Sequence, residues 1–176
     1  YSEMMHSIKL NNYQTKSKQE NKLESVINTK IKSDKHDDWT KELNFSISSS
    51  NNVVNLIITD LEDPLFYYKS SINESEFQQL KSQQNLLIDF QQFPFKIIEM
   101  FELCKESVNI EYSNNMSILK GSSNFNCVIE EKSTSIGEAD LLIQETTQFR
   151  NLTHLKLSIK IPSDTHLKKH LSTLCK

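Results

Sequence analysis

DLEDPLFYYKSSINESEFQQLKSQQNLLIDFQQFPFKIIEMFELC, residues 60–104, carries the densest local signals in the chain. Within it, Ile72-Asn73-Glu74-Ser75-Glu76-Phe77 reads as a helix entrance. Asn73 is the N-cap, Glu76 reaches back from the third helical position, and Ile72 and Phe77 have the spacing of a hydrophobic staple. The spacing predicts a helix from Glu74 to about Gln83. The apolar run Leu86-Leu87-Ile88 follows, and Phe90-Gln91-Gln92-Phe93-Pro94 then breaks the chain. Pro94 suits the first position of a second helix, because its missing N–H would have no partner there anyway. That helix places Ile97, Ile98, Phe101 and Cys104 on one face.

Working outward, the rest of the chain reads mainly as strands. Residues 5–13 form a first strand ended by Asn11-Asn12. Residues 23–32 alternate, with Leu23, Ser25, Ile27, Thr29 and Ile31 on one side, and their partner is residues 42–48, where Leu43, Phe45 and Ile47 share a face. A charged loop, residues 33–38, lies between them with Trp39 behind it. Residues 48–52 are a turn by composition, residues 53–59 the next strand, and residues 65–72 the strand that leads into the helix pair. Beyond Cys104, short β-like runs are expected at residues 108–112, 117–119, 125–130, 141–146 and 155–161. In the last of these, Leu155, Leu157, Ile159 and Ile161 alternate with Lys156, Ser158 and Lys160, so one face is core and the other is wet. Pro162 stops that strand, Ser163 caps a terminal helix, and Asp164 suits its first turn. Leu167, Leu171 and Leu174 give that helix one heptad of an apolar seam, short of what a coiled coil requires.

With 176 residues and 20.5 kDa, the chain has the length of one domain, residues 1–176. Nine Phe and five Tyr offset an apolar fraction of only 36%, which predicts a folded domain with an Asn-, Ser- and Gln-rich exterior. The formal charge of -3 leaves no electrostatic footprint for nucleic acid and no basic stripe for a membrane surface. No apolar run has the length of a membrane span, and the N-terminus lacks a secretory signal, so a cytoplasmic address is expected. Cys104, Cys127 and Cys175 each sit in an apolar pattern, which predicts reduced core thiols. Starting at Tyr1 and stopping within a helical pattern, the chain is expected to be an excised part of a longer protein. The fold expected is mostly β with an inserted helix pair (α+β). It would be a small β-barrel or sandwich with a helix-turn-helix cap and a C-terminal helix.

Candidate chemistry is sparse. Asp34, His36, Asp37 and Asp38 are metal-ligand types, but they lack the alternating ligands and central Gly of an EF-hand and read as a solvated loop. His166 and His170 have the i, i+4 spacing of zinc ligands, yet Lys168 and Lys169 between them oppose a cation. Asp60, Glu62 and Asp63 resemble an acid/base pair and equally a turn before Pro64. With two glycines in the chain, phosphate-cradling loops are out of reach, and no nucleophile or dinucleotide motif occurs. No enzyme activity and no cofactor are expected. Phe149 stands apart, a large aromatic within the polar connection Glu145-Thr146-Thr147-Gln148-Phe149-Arg150-Asn151. On pattern alone it reads as a core residue at the start of the next strand.

The order DPxF, strand, NESEFQQLKSQQ, LLIDF, FPFKIIEMFELC resembles the signature motif of the spindle assembly abnormal protein 6 family, the centriolar cartwheel proteins. FRNLTHL, residues 149–155, followed by an alternating strand and a Leu-bearing helix, is similar to the end of the same family's globular head. The signature falls at about residues 53–104, and residues 106–123 have no counterpart in the pattern. The resemblance implies a head-to-head homodimer in which Phe149, flanked by Gln148, Arg150 and Asn151, enters a pocket of a second head. Phe93, Phe95 and Ile98 are the expected pocket residues. Gln148 stands where some relatives have Pro, which predicts a less rigid loop. The family also implies that residues 163–176, with Leu167, Leu171 and Leu174, open a coiled-coil rod. The product implied is a ninefold ring templating the centriole or basal body, in the cytoplasm and cytoskeleton, with other centriole assembly proteins as partners and neither nucleic acid nor membrane. Two relatives in architecture are alternatives: a cartwheel-like paralogue without the rod, and the head of a DNA-repair scaffold.

Overall fold

A computed structural model describes residues 22–113 and 124–162. The strands expected at residues 5–13 and 117–119, the terminal helix with Leu167, Leu171, Leu174, His166 and His170, and Cys175 lie outside the described residues. Among the described residues, seven strands and two helices follow in chain order: β1 (Leu23–Ser33), β2 (His36–Ser50), β3 (Val53–Thr59), β4 (Tyr67–Asn73), α1 (Glu74–Gln84), α2 (Phe93–Ser113), β5 (Asn124–Glu131), β6 (Glu138–Thr146) and β7 (Asn151–Lys160).

The strands close into a barrel in the order β1-β2-β3-β4-β7-β6-β5. All neighbours are antiparallel except β1 and β5, which run parallel through pairs such as Thr29↔Cys127 and Ile31↔Ile129. Period-2 alternation fills the interior. Ile27 and Ile31 of β1 meet Leu43, Phe45 and Ile47 of β2, Val54, Leu56 and Ile58 of β3, and Leu155, Leu157 and Ile159 of β7 in one buried cluster. Thr29, also fully buried, satisfies its hydroxyl on the Ile27 carbonyl at 3.1 Å. The β2–β3 hairpin turns on Asn51 and Asn52, both left-handed with φ of 50° and 58°. That pair supplies the mirror-image turn that matches strand twist, a conformation Asn tolerates better than most residues.

One barrel seam is nearly open. β4 and β7 share the single backbone pair Lys69↔Lys160, and above it a cleft of 420 Å³ is lined by Ser71, Leu80 and Ser158, among others. Past Lys69, β4 stays paired with β3 as far as Asn73 but leaves β7, and Asn73 then turns the chain into α1. The Gln84 side chain from the far end of α1 takes the missing strand's part: its amide donates to the Lys156 carbonyl at 2.7 Å and accepts the Lys156 N–H at 2.9 Å.

The helix pair closes one barrel mouth. The expected capping box is present, with the Glu76 N–H on Asn73 Oδ1 at 2.8 Å and the Asn73 N–H on Glu76 Oε2 at 2.9 Å. Ile72 and Phe77 are both buried. Asn85 ends α1 in a left-handed conformation. Phe77 packs against Phe93 (centroids 4.8 Å) and Phe90 (5.6 Å), and Phe101 against Phe45 of the barrel (4.8 Å), so helices and barrel share one core.

Four expectations are corrected. Residues 108–112 are helical, because α2 continues to Ser113: no Gly or Pro interrupts it, and extending a helix is cheaper than starting a strand. The charged loop at residues 33–38 is a tight turn at residues 34–35, with His36, Asp37 and Asp38 inside β2. β4 starts at Tyr67, leaving Leu65 exposed in the preceding loop. Ile161 lies beyond β7 and is exposed, its N–H donating to the Gly137 carbonyl at 2.8 Å. Among the described residues, no helix is long and apolar enough to cross a membrane.

Candidate functional site

β6 and β7 form a hairpin whose ladder ends at Thr146↔Asn151, so residues 147–150 are the whole connection. Phe149 lies at its tip and is 96% exposed. The core reading of this residue fails for a topological reason: β7 begins two residues later, past the rim of the barrel. Gln148, Arg150 and Asn151 are exposed beside it.

The loop is held by Thr147, through its backbone N–H and its side chain. The Thr147 N–H and Thr147 Oγ1 both donate to the Arg150 carbonyl at 3.0 Å, and Oγ1 accepts from the N–H groups of Phe149 (3.3 Å) and Arg150 (3.2 Å). Below it, Thr146 Oγ1 donates to Asn151 Oδ1 at 2.8 Å. His154 lies 2.6 Å from Glu145 and stacks on Phe125 with centroids 5.6 Å apart. Gln148, which stands where some relatives have Pro, is exposed between Thr147 and Phe149. A Thr two residues before a loop aromatic is an ST-turn signal that sequence reading could have used.

The expected pocket residues do not share one environment. Phe93 is fully buried against Phe77 and belongs to the core. On the same helix Phe95 is 55% exposed, and Ile98 is partly buried against the core from outside.

The acidic residues before Pro64 build a turn. Asp60 Oδ1 accepts the Glu62 N–H at 2.9 Å, and Asp63 Oδ1 the Leu65 N–H at 3.0 Å. The Asp60 side chain is almost wholly buried and forms an ion pair with Lys41. Burial pushes the Asp60 carboxyl up, but the Lys41 hydrogen bond, the Glu62 amide and the Lys41 charge together hold it below its usual range. Lys41 is correspondingly raised, chiefly by its bond to Asp60. His36 packs edge-on to Trp39, and among the described residues no group of three His, Cys, Asp or Glu could hold a metal ion. Cys104 of α2 and Cys127 of β5 are free, buried thiols with sulfurs 3.5 Å apart. The hydrogen bond between them and their burial push the Cys127 thiol well up.

Residues 2–159 match the family described as the Centriolar protein SAS N-terminal domain. The chain is 35% identical over 119 residues to the spindle assembly abnormal protein 6 homolog of Gallus gallus, covering 68% of this chain and 17% of the relative. It is 38% identical over 116 residues to the Danio rerio homolog, covering 66% and 17%. The chain thus spans about a sixth of the length of these relatives. Among solved structures, an N-terminal fragment of Leishmania SAS-6 containing part of its coiled coil aligns with a TM-score of 0.71 at 21% identity, covering 88% of this chain and 80% of that one. The N-terminal coiled-coil dimer of C. elegans SAS-6 aligns with a TM-score of 0.64 at 17% identity, covering 87% and 91%. These two likenesses establish the fold, and the match over residues 2–159 establishes the lineage. The chain belongs to the Centriolar protein SAS N-terminal domain family.

Proposed function

We propose that this chain is a structural self-assembly module of the centriolar cartwheel, acting as one globular head that pairs with a second copy through the β6–β7 connection. The observation that carries the reading is Phe149, 96% exposed on a loop pinned by hydrogen bonds, where water is a poor environment for an aromatic ring. Burying it in a second head is worth about 1.5–3 kcal/mol. Two such insertions about a two-fold axis must also offset the entropy of association, so the pair is weak.

Weak pairing suits assembly. A coiled-coil rod like that of the solved relatives would make a second dimer. Alternating the two contacts generates a closed ring or an open helix according to the angle between their axes. Ring closure then reinforces each contact through effective concentration. The product would be a ninefold hub that templates the centriole or basal body, within the cytoplasm and cytoskeleton and alongside other centriole assembly proteins. Gln148, Arg150 and Asn151 form the rim of the contact, and Phe95 and Ile98 are the accessible residues offered for the receiving surface. The solved relatives lend support through their form: the C. elegans protein is described as a coiled-coil dimer, and the Drosophila melanogaster fragment as dimerised via its coiled coil.

Sedimentation equilibrium over a wide concentration range, comparing the parent with Phe149→Glu, tests the proposal. The expected result is weak dimerisation of the parent and a monomeric variant with an unchanged circular dichroism spectrum. A parent that stays monomeric at the highest concentration would shift the reading to an architectural relative that uses the same head without head-to-head pairing.

A further inference from the structure

The β6–β7 connection has no covalent reason to be stiff. Thr147-Gln148-Phe149-Arg150 contains neither Pro nor Gly, and Gln148, Phe149 and Arg150 are exposed. One backbone bond, from the Thr147 N–H to the Arg150 carbonyl at 3.0 Å, closes it, and every other bond that orders residues 148–150 is made by the Thr147 hydroxyl. That oxygen donates once, to the Arg150 carbonyl at 3.0 Å, and accepts twice, from the N–H groups of Phe149 and Arg150 at 3.3 and 3.2 Å. One donor and two acceptor positions are all that a hydroxyl has, so the group is saturated. It therefore fixes the backbone on both sides of the Phe149 Cα.

We infer that Thr147 is the positioning residue of the Phe149 contact, its hydroxyl holding the loop in the docking conformation before the second head arrives. The inference rests on the head-to-head reading above. A contact made by one aromatic per head has little interaction energy to spare for ordering a loop. Freezing residues 148–150 only on binding would absorb much of what the ring gains. An oxygen that orders them in advance removes that cost, which is the general advantage of preorganisation. The chemistry needed is a hydroxyl on a short side chain. Ser can provide it, whereas Val, with the same shape as Thr, cannot.

The test compares the full chain with Thr147→Val, Thr147→Ser, Thr147→Ala and Phe149→Glu. Three quantities are measured for each: the dimer Kd by sedimentation equilibrium, amide hydrogen exchange at Phe149 and Arg150 in the dilute monomer, and Tm. Thr147→Val and Thr147→Ala are expected to speed exchange at those two amides several-fold and to raise Kd about tenfold (about 1.4 kcal/mol) with little change in Tm. Thr147→Ser is expected to restore both exchange and Kd. Unchanged Kd in Thr147→Val and Thr147→Ala, beside a parent that dimerises through Phe149, overturns the inference alone. Unchanged exchange also overturns it, since the hydroxyl would then not be what holds the loop. A monomeric parent, or dimerisation indifferent to Phe149→Glu, overturns the head-to-head reading itself and this inference with it.

Discussion

Asp60, the residue after β3, has its carboxylate on Lys41, and the two partners differ in exposure: the Asp60 side chain is 2% exposed and that of Lys41 31%. Removing one or the other is therefore not equivalent. Lys41→Met leaves a buried carboxylate without its cation and should cost about 2 kcal/mol in urea unfolding, at the lower end for such pairs because Lys41 is partly solvated. Asp60→Asn keeps the bond to the Glu62 amide and should cost about 1 kcal/mol. Because Asp60 titrates below its ordinary 3.8 in the fold, its contribution is full above that value and disappears as pH falls through the lower folded value. Lys41 is raised above 10.5, so its contribution is full below that value and fades as pH climbs past the folded one. The difference in unfolding free energy between the parent and Lys41→Met, measured across pH, should show a plateau bounded by these two flanks. The turn itself was legible in Asp60, Glu62 and Asp63, whose bonds are local. Lys41 as partner was not, since nothing in its own neighbourhood announces a residue from the next strand. Phe149 failed on pattern alone for a related reason: two-residue periodicity cannot distinguish a loop tip from the first residue of a strand.

At the scale of elements, what could be read was what the chain decides within a turn or two. Asn73 and Glu76 meet across three residues, and α1 starts where they said it would. Residues 108–112 alternate like a strand, but α2 was already formed upstream and its propagation overrode their β preference. The β4–β7 seam was not legible at all, because Gln84 and Lys156 are 72 residues apart in sequence. Gln84 belongs to a polar run, Gln83-Gln84-Asn85, that looks like ordinary helix surface. Replacing it tests its part in closing the barrel. Gln84→Ala removes two hydrogen bonds from the edge of β7 and should lower stability by about 1 kcal/mol. Exchange at the Lys156 amide should accelerate far more than at amides of β6, which keep their full ladder. Gln84→Glu retains the acceptor and loses the donor, so it should fall between parent and Ala.

In the whole molecule, barrel and helix cap are one hydrophobic body. Phe101 of α2 lies on Phe45 of β2, and Phe77 and Phe93 extend the same cluster. The fold class was legible because each strand's alternation is local. Barrel closure, the parallel β1–β5 pair and the strand order were not, since they depend on which hydrophobic faces meet across the chain. The thiol pair shows what a shared interior means in time. Cys104 rides on the cap and Cys127 on the wall behind it, with neither sulfur open to solvent. A thiol reagent can reach them only when cap and wall part, so their modification is a clock for the opening of the folded state. Both sites should react at one common rate, slowed from that of a free thiol by the folding equilibrium constant. Phe101→Ala, which removes about 3–5 kcal/mol of packing, should speed both together by two orders of magnitude or more. A common rate faster than the folding equilibrium constant allows would mean that the cap swings away on its own while the barrel stays shut.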